Sequence, residues 1–288
     1  MSTVRVCGRE FSEHEIAEIR DFVIENPSAN RRQISRWTCE RLQWIAPGGR
    51  LKEMSCRVAL LRLEAMGKVK LPPPLKRGGN RKAYTTEATI PVPAEPLRVA
   101  LGDLKGLKLR LVEGGKDSRL WNEAIHRFHY LGYGRLPGAQ LRYLLEGPSG
   151  LLGALGFGAS AWKVAPRDRW IGWSDSLRKE RLHLVVNNAR FLIMPWVQCK
   201  NLASWTLAEC MRRLASDWQR RYGYRPVLLE TFVERDRFAG TCYRAANWVF
   251  VGETQGRGKL DRDCRKELPV KLVWVYPLRK DFRSELCA

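Results

Sequence analysis

The chain has 288 residues, 44% of them hydrophobic, enough to bury one large core or two ordinary ones. Its 51 lysines and arginines face only 30 acidic residues, and the formal charge of +21 suits a polyanionic partner. No run approaches the roughly 20 apolar residues of a membrane helix, the first residues lack the apolar stretch of a secretory signal, and the eight cysteines form no C-x-x-C pair, which argues against a zinc ribbon or a thioredoxin-like site. Cys56, Cys210 and Cys242 lie in apolar contexts and read as small core residues of a reducing compartment, so a cytoplasmic protein with no membrane role is expected.

Residues 11–71 read as a small helical unit. Ser12 and Glu15 make a capping box ahead of a first helix whose Ile16, Ile19, Phe22 and Val23 share a face. A second helix starts near Asn30, with Ile34, Trp37 and Leu42 inward. After the turn 45–50, a third helix turns Met54, Val58, Leu61 and Leu63 to the core and stops at Gly67. Three helices with a trailing extended segment predict a winged helix-turn-helix, the third helix entering the major groove. Lys52, Arg57 and Arg62 are then candidate DNA contacts, and Arg77 and Arg81 belong to a basic wing tip or minor-groove arm. A helical bundle for protein contacts is the competing reading. The expected division is a DNA-binding domain over 1–75, a basic Pro/Gly-rich linker or wing over 76–97, and a second domain over 98–288.

From Leu101 the pattern alternates strands and helices. A strand over 107–114 precedes a helix ending at Gly132, then a hairpin across 147–150. The run 181–196 gives two strands or one strand bulged at Asn187 and Asn188. A long amphipathic helix begins near Asn201, with Leu202, Leu207, Cys210, Leu214 and Trp218 on its apolar face. A buried strand over 226–233, a short helix carrying Tyr243 and two closing strands follow, so the fold class is α+β with a mixed sheet.

This order of elements resembles the GNAT-type N-acetyltransferase fold. The resemblance implies that the strand holding RFLIMP splays from its neighbour PVLLETFV, and that a tyrosine at Tyr243 serves as general acid to a CoA thiolate. The family's cofactor loop has the form Q/R-x-x-G-x-G/A, whereas residues 198–203 read QCKNLA and lack both glycines, so acetyl-CoA is not expected. The blocks HYLGYG, WKVAPRDRWIGW, NNARFLIMPWVQCKNLAS, LLETFVERDRFAGTCYRAANW and GETQGRGK resemble the family of the Druantia anti-phage protein DruA, whose relatives also travel with transposon-like genes. That resemblance implies DNA transactions in phage defence or mobile-element movement.

Tyr243 is the leading candidate for chemistry: a proton donor, a nucleophile on a phosphodiester, or a core tyrosine. Glu230 ends a buried strand, where its carboxylate must be paired; it is a base, a ligand of Mg²⁺ or Mn²⁺, or the partner of Arg190 or Arg244. Asp168 and Glu234 are further candidate acids, Asp168 also as a metal ligand. His126 and His129 share a helical face, suited to metal or base work or simply to packing. Arg167, Arg169, Arg190, Arg244, Arg257 and Lys259 are expected at a nucleic-acid surface, interleaved with tryptophans on which unpaired bases could stack. The expected function is DNA binding with strand cleavage or transfer of nuclease or transposase type. The alternatives are a non-catalytic DNA sensor that recruits a helicase or other defence proteins, and a CoA-dependent acyltransferase.

Overall fold

The computed structural model describes residues 3–75, 88–256 and 268–288. The chain divides into two compact units, Met1–Ala83 and Tyr84–Ala288.

The first unit opens with a hairpin, β1 (Thr3–Val6) and β2 (Arg9–Ser12), that runs straight into α1 (Glu13–Glu25). Ser12 ends the strand and caps the helix. Its hydroxyl accepts the Glu15 N–H at 3.1 Å, and the Glu15 carboxylate accepts the Ser12 N–H at 2.8 Å. Asn30 and Gln33 repeat this device at the start of α2 (Arg31–Arg41). A turn over 42–52, pinned by a bridge between Ile45 and Leu51, leads to α3 (Glu53–Ala65). Phe11, Ile16, Ile19, Ile34, Cys39, Leu60 and Leu63 form the core.

Two expectations change here. Met54, Val58 and Leu61 lie outside, Met54 with 65% of its surface exposed, and the buried face of α3 is Cys56, Ala59, Leu60 and Leu63. Both sets have helical spacing on a helix with apolar residues all round, so periodicity alone does not choose between them. The winged helix-turn-helix is not reproduced among the described residues. The hairpin precedes α1, no strand follows α3 among the described residues of this unit, and 42–52 is longer than the roughly three or four residues of a helix-turn-helix turn.

The second unit contains, in order, β3 (Leu97–Arg98), β4 (Lys108–Leu111), α4 (Gly115–Phe128), a hairpin of β5 (Gln140–Gly147) and β6 (Gly150–Ala159), two short helices α5 (Ala165–Ile171) and α6 (Asp175–Arg181), and β7 (Val185–Ile193). Then come β8 (Val197–Gln198), α7 (Leu202–Tyr222), β9 (Leu228–Glu234), α8 (Thr241–Ala245), β10 (Val249–Glu253), β11 (Lys271–Pro277) and α9 (Phe282–Cys287). Seven strands make one sheet in the order β10-β11-β9-β7-β6-β5-β4. Its central pair, β7 and β9, is parallel and the other neighbours are antiparallel. β3 and β8 form a separate parallel pair. No helix among the described residues is long and apolar enough to cross a membrane.

Side chains alternate across a strand, so the sheet has two working faces. On one, Leu207, Cys210, Leu214 and Trp218 of α7 and Tyr243 of α8 pack on Leu155, Phe157, Val186 and Leu229. On the other, Trp121, Ala124 and Ile125 of α4 pack on Leu144, Leu152 and Ala154, while Ile171 and Phe282 cover Val185 and Leu228. Gly156 of β6 is required by this packing: a Cβ there would meet the Trp121 ring at 2.8 Å.

Helix α5 is fixed to β9 by charge. Arg167 and Glu230 are both fully buried and lie 2.6 Å apart (Nη1 to Oε2). The same guanidinium holds Asp168 at 2.7 Å and donates to the Ala161 carbonyl, while the Ala161 N–H donates to Glu230 Oε1 at 2.7 Å. Burial raises the Glu230 pKa above the ordinary carboxylate range, and Arg167 limits that shift. Removing one member of such a pair strands the other charge in the interior. Glu230→Gln is therefore expected to lower unfolding stability by about 3–5 kcal/mol in urea titration. The double variant Arg167→Met/Glu230→Met is expected to lose less than either single change.

Candidate functional site

Parallel strands β7 and β9 pair only from Val185–Asn188 to Leu228–Thr231, although β7 continues to Ile193 and β9 to Glu234. A register shift opposite Asn188 and Arg190 bends β7 away from its partner. The gap is a cleft of about 440 Å³, lined by β7, β9, the end of α4 and the turn 238–243.

Tyr243 forms its floor. The side chain is 6% exposed, and its phenol donates to Asn188 Oδ1 at 2.7 Å. Thr231 Oγ1 donates to the Asn188 carbonyl at 3.0 Å and stands 3.3 Å from the phenol oxygen. Burial pushes the phenol well above the ordinary tyrosine range. Gly240, which starts α8 in the left-handed region, allows the turn to lie flat on Trp274; a Cβ would meet the indole nitrogen at 2.8 Å. Cys242 beside it has its thiol raised to about 11 by burial, so it is not a thiolate at neutral pH.

His129, the C-cap of α4, forms one wall. Its Nδ1 accepts the Leu131 N–H at 3.2 Å, which puts the ring proton on Nε2, and Nε2 has no partner among the described residues. Burial, then the charge of Arg190, lowers its pKa to about 4, so the ring is neutral at physiological pH. The lip is aromatic. Tyr130 and Phe238 lie 5.4 Å apart, both exposed, and the Arg237 guanidinium stands 4.9 Å from the Tyr130 ring.

The residues expected from the sequence do not meet at one point. Thr231 and Tyr243 share the α7 face of the sheet, whereas Glu230, one residue earlier on β9, points to the α5 face. The partner of Glu230 is Arg167, not Arg190 or Arg244. Asp168 does come close to Glu230, but the Arg167 fork lies between the two carboxylates. Asp168 also takes the Val164 N–H and the Trp173 indole N–H. Two carboxylates already neutralised by a buried arginine do not fit a divalent cation. Among the described residues no three or more His, Cys, Asp or Glu cluster elsewhere in metal-binding geometry. Arg167, expected at a DNA surface, is fully buried with its fork engaged. Glu234 is near the lip, 3.6 Å from Arg237.

Lys52, Arg62, Arg169 and Arg244 are exposed, Arg57 is half-buried 3.8 Å from Glu53, and Arg190 is half-buried beneath the loop after α4. Arg77, Arg81, Arg257 and Lys259 lie outside the described residues. In the loop before α7, Asn201 takes a left-handed φ of 67° and stands where a glycine was expected, a conformation asparagine tolerates. Asn188 and His129 carry the cleft geometry. Sequence reasoning marked the first only as a bulge and the second only as half of a histidine pair.

The unfolded chain protonates its histidine near pH 6.5, but folded His129 does so only near 4. The folded state thus binds fewer protons across that window, and stability falls as pH drops from 6.5 to 4, by about 3 kcal/mol for a shift of this size. Comparing urea unfolding of the parent and His129→Gln at pH 7 and pH 4.5 checks this: the variant is expected to lose that part of the pH dependence.

Three acetyltransferases are among the solved structures to which the chain is similar. The one from Bacillus subtilis in complex with CoA is 8% identical, covering 60% of this chain and 99% of its own, with a TM-score of 0.36. An N-acetyltransferase from Staphylococcus aureus Mu50 is 13% identical over 60% and 99%, also at 0.36. A GNAT-family acetyltransferase from Bacillus cereus is 8% identical over 59% and 97%, at 0.31. Likeness at this level assigns no activity. No curated protein matches the sequence. The model of one family, Druantia protein DruA, matches residues 78–265, which take in β3 to β10 and the whole cleft, and the chain belongs to that family.

Proposed function

We propose that the chain is the DNA-binding member of a Druantia anti-phage system and that its cleft receives a nucleobase, either turned out of a duplex or carried on an unpaired strand. The observation that carries this reading is the cleft: apolar walls, an aromatic lip of Tyr130 and Phe238 beneath Arg237, and a volume suited to a planar ring. Bases of any sequence stack on such rings, while arginines meet the phosphates. The charge of +21 favours the same partner. Lys52 and Arg62 of the first unit would add phosphate contacts, whether or not that unit docks as a winged helix. The exposed Met54, Val58 and Leu61 of α3 suit a protein surface better than a groove.

In this reading the protein recognises DNA and leaves cutting to a helicase or nuclease partner. A buried phenol hydrogen-bonded to Asn188, with its pKa raised, is a poor nucleophile, and Glu230 and Asp168 are held by Arg167. The second reading is strand cleavage through Tyr243, favoured by the position of that residue on the cleft floor.

End-labelled single-stranded and duplex oligonucleotides, incubated with pure protein and Mg²⁺ or Mn²⁺, separate the two. Tight binding with intact DNA is expected. Phe238→Ala or Tyr130→Ala should weaken binding of single strands by about 1–3 kcal/mol, roughly 5- to 150-fold. A protease-sensitive covalent adduct that disappears in Tyr243→Phe would overturn the recognition reading in favour of cleavage.

A further inference from the structure

One cation beside the cleft has no counter-charge among the described residues. Arg190 follows the bend in β7, on the α4 face opposite Gly156. The missing Cβ of Gly156 leaves room there: one would press on Arg190 Cβ at 3.3 Å and on Trp121 at 2.8 Å. Arg190 Nη1 donates to the carbonyl of its own neighbour, Ala189, at 2.7 Å. Its Nε is buried and has no partner, and no carboxylate among the described residues pairs with it. Fully buried Arg167 is balanced by Glu230 and Asp168, and Arg178 by Asp175 and Asp168; half-buried Arg142, also without a carboxylate, has its fork engaged by Asn122 and Ser118, whereas the Arg190 Nε has no partner. A guanidinium partly removed from water without an anion is costly, and such a cost is commonly kept where a ligand supplies the missing charge.

The surroundings suit an oxyanion. The loop 129–138, HYLGYGRLPG, passes over Arg190, with Gly134 close to its Nη2, and Gly132 and Gly138 take positive φ. Glycines here let a ligand approach the main chain without side chains in the way. His129 joins this loop to the cleft: it lines the cleft, feels the charge of Arg190, and holds its Nε2 proton without a partner among the described residues.

We propose that Arg190, with His129 and the glycine loop 129–138, binds a phosphate group whose attached base occupies the neighbouring cleft. The ligand unit is thus one nucleotide. This rests on the nucleobase reading of the cleft and extends it by naming the phosphate contact. Phosphate and base would be held on opposite sides of the fork between β7 and β9, with His129 between them. Arginine suits this role because its planar fork meets two phosphate oxygens together.

The test uses the full chain, a 12-nucleotide single strand, the same strand with one abasic position, and the variants Arg190→Met and Arg190→Lys, titrated over a range of KCl. Each phosphate contact to a single strand contributes about 0.7 to the slope of log K against log salt. Arg190→Met is expected to lose about that much slope on intact and abasic strands alike, and Arg190→Lys to keep the slope but bind several-fold more weakly. Arg190→Met should also melt no lower than the parent, since it removes an uncompensated charge; a structural arginine would leave a less stable protein. A second arm compares dAMP with deoxyadenosine in thermal melting, to tell a free nucleotide from a strand. Stabilisation by dAMP alone, lost in Arg190→Met, supports the phosphate site whichever source fills it. DNA binding with an unchanged slope in Arg190→Met overturns the phosphate site and leaves the DNA reading standing. No binding of any strand by the parent overturns the DNA reading, and a silent dAMP arm then overturns the phosphate site as well.

Discussion

At Asn188 the two parallel strands of the sheet stop pairing, and the amide of that residue takes up the groups the ladder leaves behind. Its Nδ2 donates to the carbonyls of Gly156 (3.3 Å) and Arg190 (3.1 Å), its Oδ1 accepts the Tyr243 phenol, and its own carbonyl accepts the Thr231 hydroxyl. Three elements, β6, β9 and α8, are thereby tied to one residue at the fork, β9 through its main-chain carbonyl and the other two through its side chain. A buried polar network of this kind is stable only when each member is satisfied, and here the donors and acceptors match one for one. The cleft exists because the strands part, and the strands part at a defined residue because Asn188 makes the ending stable.

The sheet also acts as a partition. Consecutive residues of β9 belong to different worlds. Glu230 is in an ion-paired interior with Arg167, Asp168 and Arg178, and Thr231 is in a neutral hydrogen-bonded one with Tyr243 and Asn188. The first holds α5 against the sheet. The second adjoins the cleft at the fork. Charge that would be reactive if exposed is in this way used for structure, and the accessible surface of the cleft is left to rings, a neutral imidazole and an arginine rim.

Much of the fold could be read from the sequence where local chemistry is strong. The capping box at Ser12, the start of the second helix near Asn30, the apolar stripe of α7 and the short helix around Tyr243 follow from spacing alone. Helices α5 and α6 were not legible, because their buried positions include Arg167 and Arg178, and a buried arginine erases the apolar periodicity that marks a helix. The register of α3 failed for the opposite reason, apolar residues on every side. For the candidate site, strand parity alone separates position 230 from 231, so the split between Glu230 and Tyr243 was available in principle. The neutral state of His129 was not, since it depends on burial and on Arg190, distant in sequence.

Two strands that diverge inside a domain present an edge to each other, with main-chain groups facing across a gap as at the rim of any sheet. Exposed rims invite another strand to add on, and proteins blunt them. Here the blunting is done from within. The carbonyl of Ala189 is covered by the Arg190 side chain and that of Arg190 by the Asn188 amide, so two of the acceptors that a re-zipped ladder would use are already occupied. The opening is thus guarded in part against its own collapse, at the two residues where the strands part. On the proposed reading, an occupant would be accepted on the shape and charge of its side groups, not on a backbone of its own, which would favour flat, compact ligands over strand-like ones.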